Sequence, residues 1–151
     1  MSSIGMSGND SIKINNKILA DFASDDIAVL TFPNELASIK TGKNGNSIYA
    51  INETGRQAEL VLKVIRGSSD DKYLASQLSA QKNNFAGFIL MIGEFIKRIG
   101  DGTGNIVSDT YILSGGVFSK EVEAKSNVAG DADQSISTYT IRFANSPRIL
   151  A

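Results

Sequence analysis

Neither histidine nor cysteine occurs among the 151 residues of this chain. Without an imidazole there is no histidine general base, no Ser–His nucleophile pair and no histidine metal ligand. Without a thiol there is no cysteine nucleophile, no thiolate zinc site and no disulfide. Carboxylates, lysines and hydroxyls remain, so the residue inventory favours a protein that acts by shape and assembly.

The remaining candidates for chemistry are weak. Residues 100–104 read Gly-Asp-Gly-Thr-Gly, but a phosphate-binding loop must open a helix and a strand pattern follows here. Asp131 and Asp133 lack the later glutamate of a calcium loop. Glu121 and Glu123 have the spacing of a paired carboxylate site, but no tryptophan is present as a sugar platform. We predict no catalytic residue, no metal site, no cofactor and no enzyme activity.

Composition indicates one globular domain. The chain is 42% hydrophobic and 21% charged, with a net charge of −1, which leaves no basic tract for a dedicated nucleic-acid binder. No apolar run reaches the roughly 18 residues of a membrane span, and residues 1–9 lack the apolar centre of a secretion signal. We expect no membrane partner, a flexible arm over residues 1–11, and a single β domain over residues 12–151.

Strand patterns dominate the chain. In residues 57–66, Ala58, Leu60, Leu62 and Val64 alternate with Gln57, Glu59 and Lys63, which predicts a strand with one buried face and one wetter face. A first strand pair is expected over residues 17–22 and 27–32. A hairpin is expected over residues 37–41 and 47–51 around the Asn-Gly turn at 42–46. Further strands are predicted over residues 106–113, 116–124 and 135–144.

One short helix interrupts the strands. Ser68 can cap it, and Asp70 and Asp71 fall in its first turn, where the helix dipole favours acids. Leu74 and Leu78 share one face. Because so short a helix is unstable alone, we expect these two leucines to pack on a sheet.

The segment after the helix is apolar on both faces of an extended chain. We predict a strand in residues 85–99 that is either central in the core or in contact with another subunit. The residues that carry this prediction are Phe88, Ile89, Leu90, Met91 and Ile92.

The block of residues 42–143 resembles bacteriophage tail tube proteins, a family related to the tubes of contractile injection systems. A Gly/Asn-rich loop leads into GRQAELVLKVIRGSSDDKYLASQL, a one-sided strand followed by a short helix. A hydrophobic strand and its return precede TYILSGGVFSKEVEAKSNVAGDADQSISTYTIRFA, with its final alternating strand. The loop over residues 125–134 is more acidic than the family pattern.

The resemblance implies a fold of two packed antiparallel β-sheets and one short helix, arranged as a tail-tube-like sandwich or barrel. Hexameric rings would stack into a hollow tube, with the inner sheets of neighbouring subunits joined into one continuous barrel. The lumen would conduct DNA and tape-measure protein, or effector proteins and ions in related machines. Sheath, tail terminator and baseplate proteins are further implied partners, in a virion tail assembled in the cytoplasm of the host bacterium.

Two surfaces acquire roles from this resemblance. The wetter strand face with Gln57, Glu59 and Lys63 would line the lumen. A loop at the hairpin tip would order on contact with the next ring, and it comprises Thr41, Gly42, Lys43, Asn44, Gly45, Asn46 and Ser47. Two alternatives stay open: a tube of a tailocin or type VI-like system, and a small β-sandwich that binds a glycan or a receptor.

Overall fold

The fold is described by a computed structural model over residues 11–20, 22, 28–100, 102–124 and 135–151. The expected arm lies outside these residues except for Ser11, which opens the first strand. The acidic loop at 125–134 also lies outside them. The strands are β1 Ser11–Ile14, β2 Lys17–Ile18, β3 Ala28–Thr31, β4 Ala37–Thr41, β5 Ser47–Ile51, β6 Ala58–Ile65, β7 Met91–Gly100, β8 Ile106–Phe118, β9 Glu123–Ala124, β10 Ile136–Asn145 and β11 Arg148–Leu150, with a 3-10 turn at Glu53–Arg56 and helix α1 at Ser69–Asn83.

The strands form two antiparallel sheets of unequal size. The large sheet runs β2-β1-β7-β8-β10-β6-β3, with β11 also paired to β8 and β9 to β10. The small sheet is the β4–β5 hairpin alone. The expectation of a mainly β fold with one helix and two antiparallel sheets is confirmed, although the second sheet is an exposed hairpin and not a broad layer.

The large sheet curls strongly. Phe22 pairs with Val64 at the β6 edge, only four residues after Ile18 at the β2 edge. Four extended residues reach at most about 14 Å, whereas seven flat strands would be roughly 29 Å across. The two edges therefore approach each other, but no pairing joins β2 to β3 within the described residues.

The core fills the inside of this curl. Ala58, Leu60, Leu62 and Val64 are buried on β6, as the alternation predicts. Tyr139, Ile141 and Phe143 on β10 pair with them across the ladder. Helix α1 covers this surface and inserts Leu74 and Leu78 into the same cluster.

Polar contacts fix both ends of the helix. Ser68 caps it by accepting a hydrogen bond from the Asp71 amide at 3.2 Å. At its other end, the Gln81 side chain both donates to the Phe118 carbonyl at 2.9 Å and accepts from the Phe118 amide at 2.8 Å. Buried amide and carbonyl groups are costly when they lack hydrogen-bond partners. These two hydrogen bonds therefore specify how the helix lies on β8.

A second contact joins the helix start to β10. The Tyr139 hydroxyl donates to Asp71 Oδ1 at 2.6 Å, and Ser137 Oγ donates to Asp71 Oδ2 at 3.2 Å. Burial of the ring and the neighbouring Asp71 carboxylate both raise the pKa of Tyr139 well above its ordinary value. The phenol therefore stays protonated as a hydrogen-bond donor.

One sequence prediction about pairing is wrong. The described parts of residues 17–22 and 27–32 do not pair with each other: β2 pairs with β1, and β3 pairs with β6. The reason is a tight turn at Asn15 and Asn16, which have φ of 51° and 68°. Positive φ at both central residues suits a two-residue hairpin turn, and asparagine tolerates that conformation.

Residues 106–118 form one strand where two were expected. The break at Ser114 and Gly115 is a bulge, since Met91 pairs with Gly116 whereas Gly93 pairs with Leu113. Gly115 has a φ of 68°, which lets the strand continue through the bulge. The bent strand pairs with β10 after the bulge and with β11 before it.

The strand expected from residue 85 begins only at Met91. Phe85, Ala86 and Gly87 form a turn, in which Asn84 Oδ1 accepts from the Gly87 amide at 3.1 Å. Phe88, Ile89 and Leu90 form no strand and join no ladder. The prediction of a strand is therefore wrong for residues 85–90, whereas Met91 and Ile92 lie in β7, inside the large sheet between β1 and β8.

Candidate assembly surfaces

The described residues offer little for chemistry and much for assembly. They contain no group of three or more aspartate and glutamate side chains close enough to hold a metal ion. None of the helices formed by these residues is long and apolar enough to cross a membrane. Three surfaces stand out: the β4–β5 hairpin, the turn after α1, and the side of the large sheet that faces away from the core.

The hairpin carries an uncovered apolar face. Its register pairs Ile39 with Tyr49 and Ala37 with Ile51, so these four side chains lie on one face. Ile39, Tyr49 and Ile51 are 63%, 74% and 76% exposed. An isolated two-stranded hairpin is marginally stable in water, so this face indicates that a partner covers it.

The predicted loop of residues 41–47 forms the tip of this hairpin. The Gly42 amide donates to the Asn46 carbonyl at 2.8 Å, and the Gly45 amide donates to the Gly42 carbonyl at 3.0 Å. Gly45 takes a φ of 84°, which favours glycine. Every residue of the tip is exposed, so it contributes nothing to the core.

The two ends of the hairpin approach each other closely at its base. The Asn52 amide donates to the Leu36 carbonyl at 2.9 Å. A Cβ on Gly55 would lie 2.7 Å from Glu35 O and from Leu36 Cα, so only glycine permits this approach. Beside the base is a groove of about 550 Å³, lined in part by Phe32, Leu36 and Pro147.

The turn after α1 presents a second apolar patch. Ile89 is 85% exposed, and Phe85 and Leu90 are exposed beside it. Phe88 packs partly on the core and Met91 is fully buried, whereas Ile92 is exposed on β7. The five residues singled out from the sequence therefore divide between core and surface.

The third surface is the polar face, the side of the large sheet opposite the core. Cross-strand partners share a face, so the register places Lys13 beside Glu94, Glu59 beside Arg142, and Lys63 beside Thr138. Arg98 lies opposite Ser108 on the same side. This face joins Glu59 and Lys63, two of the residues predicted from β6, with charges from five other positions, one of which is Glu123 opposite Thr138. The apolar side chains of Val61, Ile65 and Ile112 lie on the same face.

Gln57 is placed apart from the other two predicted residues. It precedes β6, and its side-chain oxygen accepts from Asn34 Nδ2 at 3.4 Å near the hairpin base. Four charges of the polar face were missed in the sequence: Lys13, Glu94, Arg98 and Arg142. The alternation of Thr138, Thr140 and Arg142 with Tyr139, Ile141 and Phe143 is a signal that could have found Arg142.

An ion pair holds β11 against β8. Arg148 on β11 donates to both carboxylate oxygens of Asp109 on β8, at 2.8 and 2.9 Å. These hydrogen bonds hold the pKa of Asp109 below its ordinary value. The pair fixes β11 on the part of β8 that precedes the bulge, where Ile149 and Leu150 remain exposed.

No family model matches the sequence, and the comparison with curated proteins found no match. Comparison of folds gives a different result. A chain of the PVC extracellular contractile injection system, from its sheath–tube complex in the extended state, matches with a TM-score of 0.64 at 10% identity. The match covers 94% of this chain and 88% of that chain.

Two further structures agree. The tube terminating cap of the anti-feeding prophage matches with a TM-score of 0.60 at 9% identity, over 94% of this chain and 88% of that chain. The PVC sheath/tube terminator in the extended state matches with a TM-score of 0.56 at 10% identity, over 93% and 92%. The chain therefore has the tail-tube-like fold that occurs in tube and tube-terminator proteins of contractile injection systems.

Proposed function

We propose that this chain is the structural subunit of a tail or injection tube and has no enzymatic role. Hexameric rings of it stack into a hollow conduit, and the open large sheets of neighbours complete one barrel. The observation that carries the proposal is the β4–β5 hairpin, whose apolar face is exposed in a chain with the tube-like fold. A second copy covers this face in the stacked tube.

The remaining surfaces fit the same arrangement. The polar face lines the lumen, because it is the side of the sheet that the core and helix leave free. The lumen passes DNA and tape-measure protein in a phage tail, or other cargo in an injection particle. A sheath lies outside, and terminator and baseplate proteins close the ends. The particle is assembled in the bacterial cytoplasm.

Electron microscopy of the purified protein tests this proposal. Negatively stained rings or tubes are the expected result, with interfaces of roughly 2,000 Å² or more in total per contact. A monodisperse 16.1 kDa monomer at high concentration under every salt condition would contradict it and favour a small binding module.

A matched pair of hairpin variants sharpens the experiment. Ile51 lies on the apolar face with Tyr49, whereas Ile48 lies on the opposite face beside Lys40. Both isoleucines are exposed, at 76% and 72%. Ile51→Ser should abolish stacking, and Ile48→Ser should leave it intact; equal behaviour of the two would show that this face is not the contact.

A further inference from the structure

The apolar face of the β4–β5 hairpin carries no charge. Its side chains are apolar or bear a hydroxyl group, and they are Ala37, Ile39, Thr41, Ser47, Tyr49 and Ile51. Lys40, the one charged residue of β4 and β5, lies on the opposite face beside Ile48. A surface that covers the apolar face must therefore bring apolar groups and no charge, because a charge buried there would lose its water without gaining a partner.

The turn after α1 meets this requirement. Residues 83–90 are eight successive positions without a charged side chain. Three of them, which we call the turn patch, are 66%, 85% and 54% exposed: Phe85, Ile89 and Leu90. Lys82, the last charged residue before the turn, is held by Glu121 at 2.8 Å. The turn patch therefore offers an apolar surface that can be covered without removing water from an unpaired charge.

Other exposed apolar side chains of the described residues lie among charges. On the polar face, Ile112 lies opposite Glu94. On β11, Leu150 lies opposite Asp109. The groove at the hairpin base includes Arg56 in its lining. The hairpin face would desolvate a charge on each of these surfaces, and the turn patch is the better match for it.

A groove beside the turn patch suits the aromatic side chain of the hairpin face. It has a volume of about 450 Å³ and is lined by Gln77, Ala80, Asn83, Asn84, Gly87, Phe88 and Ile89. The ring of Tyr49 from another copy would pack there on Phe88 and Ile89, and the amides of Gln77 and Asn83 can bond its hydroxyl. Aromatic side chains that fill such grooves supply much of the binding energy of an interface.

We propose that the hairpin face of one copy docks on the turn patch of another copy, with Tyr49 in the groove. This inference rests on the proposed function, in which a second copy covers the hairpin. A large aromatic side chain buries roughly 150–250 Å², so three large, mostly exposed side chains on each partner bury on the order of 800 Å² in total. That area is small for an isolated pair of proteins, and the contact gains strength because it recurs around a ring.

Cysteine trapping tests this contact directly, because the chain has no cysteine of its own. Ile39→Cys and Ile51→Cys proteins are each mixed with mass-tagged Ile89→Cys protein before assembly and oxidised mildly. Ile48→Cys mixed with Ile89→Cys is the matched control, since Ile48 lies on the opposite face of the same hairpin with similar exposure. The better of the two test mixtures should give at least about fivefold more disulfide-linked heterodimer than the control, because the bond forms only between closely apposed Cβ atoms.

A serine variant gives an independent readout. Ile89→Ser should raise the protein concentration needed for tube formation about tenfold, because it removes a large apolar side chain from the contact. The melting temperature should stay unchanged, since Ile89 is exposed in the single chain. Phe85→Ser replaces this variant if Ile89→Ser fails to fold.

The outcomes separate the docking contact from the proposed function. Equal trapping on the two hairpin faces, or tubes from Ile89→Ser at the wild-type concentration, would overturn the docking inference. Tubes that form normally without trapping at Ile89 would overturn it and leave the tube proposal standing, with another surface covering the hairpin. Trapping that is specific to the apolar face, in a protein that forms no tubes, would support the docking contact and contradict the tube.

Discussion

Leu74 and Leu78 show what single side chains contribute to this fold. Both project from α1 into the core, and Leu74 is fully buried. Leu74→Ala should lower the free energy of unfolding by about 2–5 kcal/mol, because it removes apolar contacts and leaves a cavity. Lys72→Ala, on the exposed side of the helix, should cost under about 0.5 kcal/mol. Chemical denaturation measures both, and similar losses would mean that the buried helix face is wrongly assigned.

Tyr139 should make stability depend on alkaline pH. Its native pKa is raised by burial and by Asp71, whereas an unfolded tyrosine titrates near pH 10. Below about pH 10 both states keep the proton and the stabilisation is complete. Above it the unfolded state ionises first, so stability falls as pH rises toward the native pKa.

Tyr139→Phe is the variant that isolates this effect. Thermal unfolding between neutral pH and the alkaline limit should show a shallower fall of the melting temperature in the variant, since all other ionisable groups are the same in both proteins. At neutral pH the variant should be less stable by about 1–3 kcal/mol, because it loses a hydrogen bond to a carboxylate. Parallel pH profiles for the two proteins would refute the role assigned to Tyr139.

The tip of the hairpin should be needed for assembly and not for folding. Its tip packs on no core residue and is held only by bonds within residues 41–47. Replacing residues 42–46 by a two-residue Asn-Gly turn should leave the melting temperature nearly unchanged and abolish or strongly weaken tube formation. Calorimetry and microscopy give the two readouts. Tubes of normal length from the shortened protein would show that stacking depends on other surfaces.

Local patterns predicted the elements whose causes are local. The alternation in β6 and the cap and dipole residues of α1 are determined by nearby residues, and both elements lie where the sequence placed them. The partners of β2 and β3 depend on contacts far along the chain, which periodicity does not encode. The three-residue strand β11 follows Pro147 and is held by Arg148 on Asp109, so its signal is a tertiary ion pair.

The candidate surfaces were likewise predictable only where a local sequence pattern determines them. Glu59 and Lys63 could be placed on a wetter face from β6 alone, but Lys13, Glu94, Arg98 and Arg142 join them only through the sheet order. The run at Phe88, Ile89 and Leu90 misled because composition records that a segment is apolar, not whether it joins a ladder. An apolar segment that is covered by a second subunit has the same residue types as a segment that is buried in the core of its own subunit.

In the part of the chain that the structure describes, the large sheet is curled and ends in two edge strands. β2 and β3 end the large sheet, and no pairing closes one onto the other within the described residues. Exposed edges promote pairing with other chains, and closure of a ring is one way in which proteins remove them. The β4–β5 hairpin has an uncovered apolar face, so a contact at this face would add further copies in a second direction.

The hairpin makes the polymer directional, because each contact between copies uses the hairpin of one copy and a different surface of the next. Such head-to-tail joints do not close on themselves, so nothing in them sets a length. A copy with residues 42–46 replaced by a two-residue turn can accept a neighbour's hairpin but offers one without its full tip, and should act as a chain terminator. Small fractions of it mixed into wild-type protein should shorten tubes progressively, as measured by length distributions in micrographs. Unchanged lengths at equal mixing would show that the two ends of a subunit are not chemically distinct in this way.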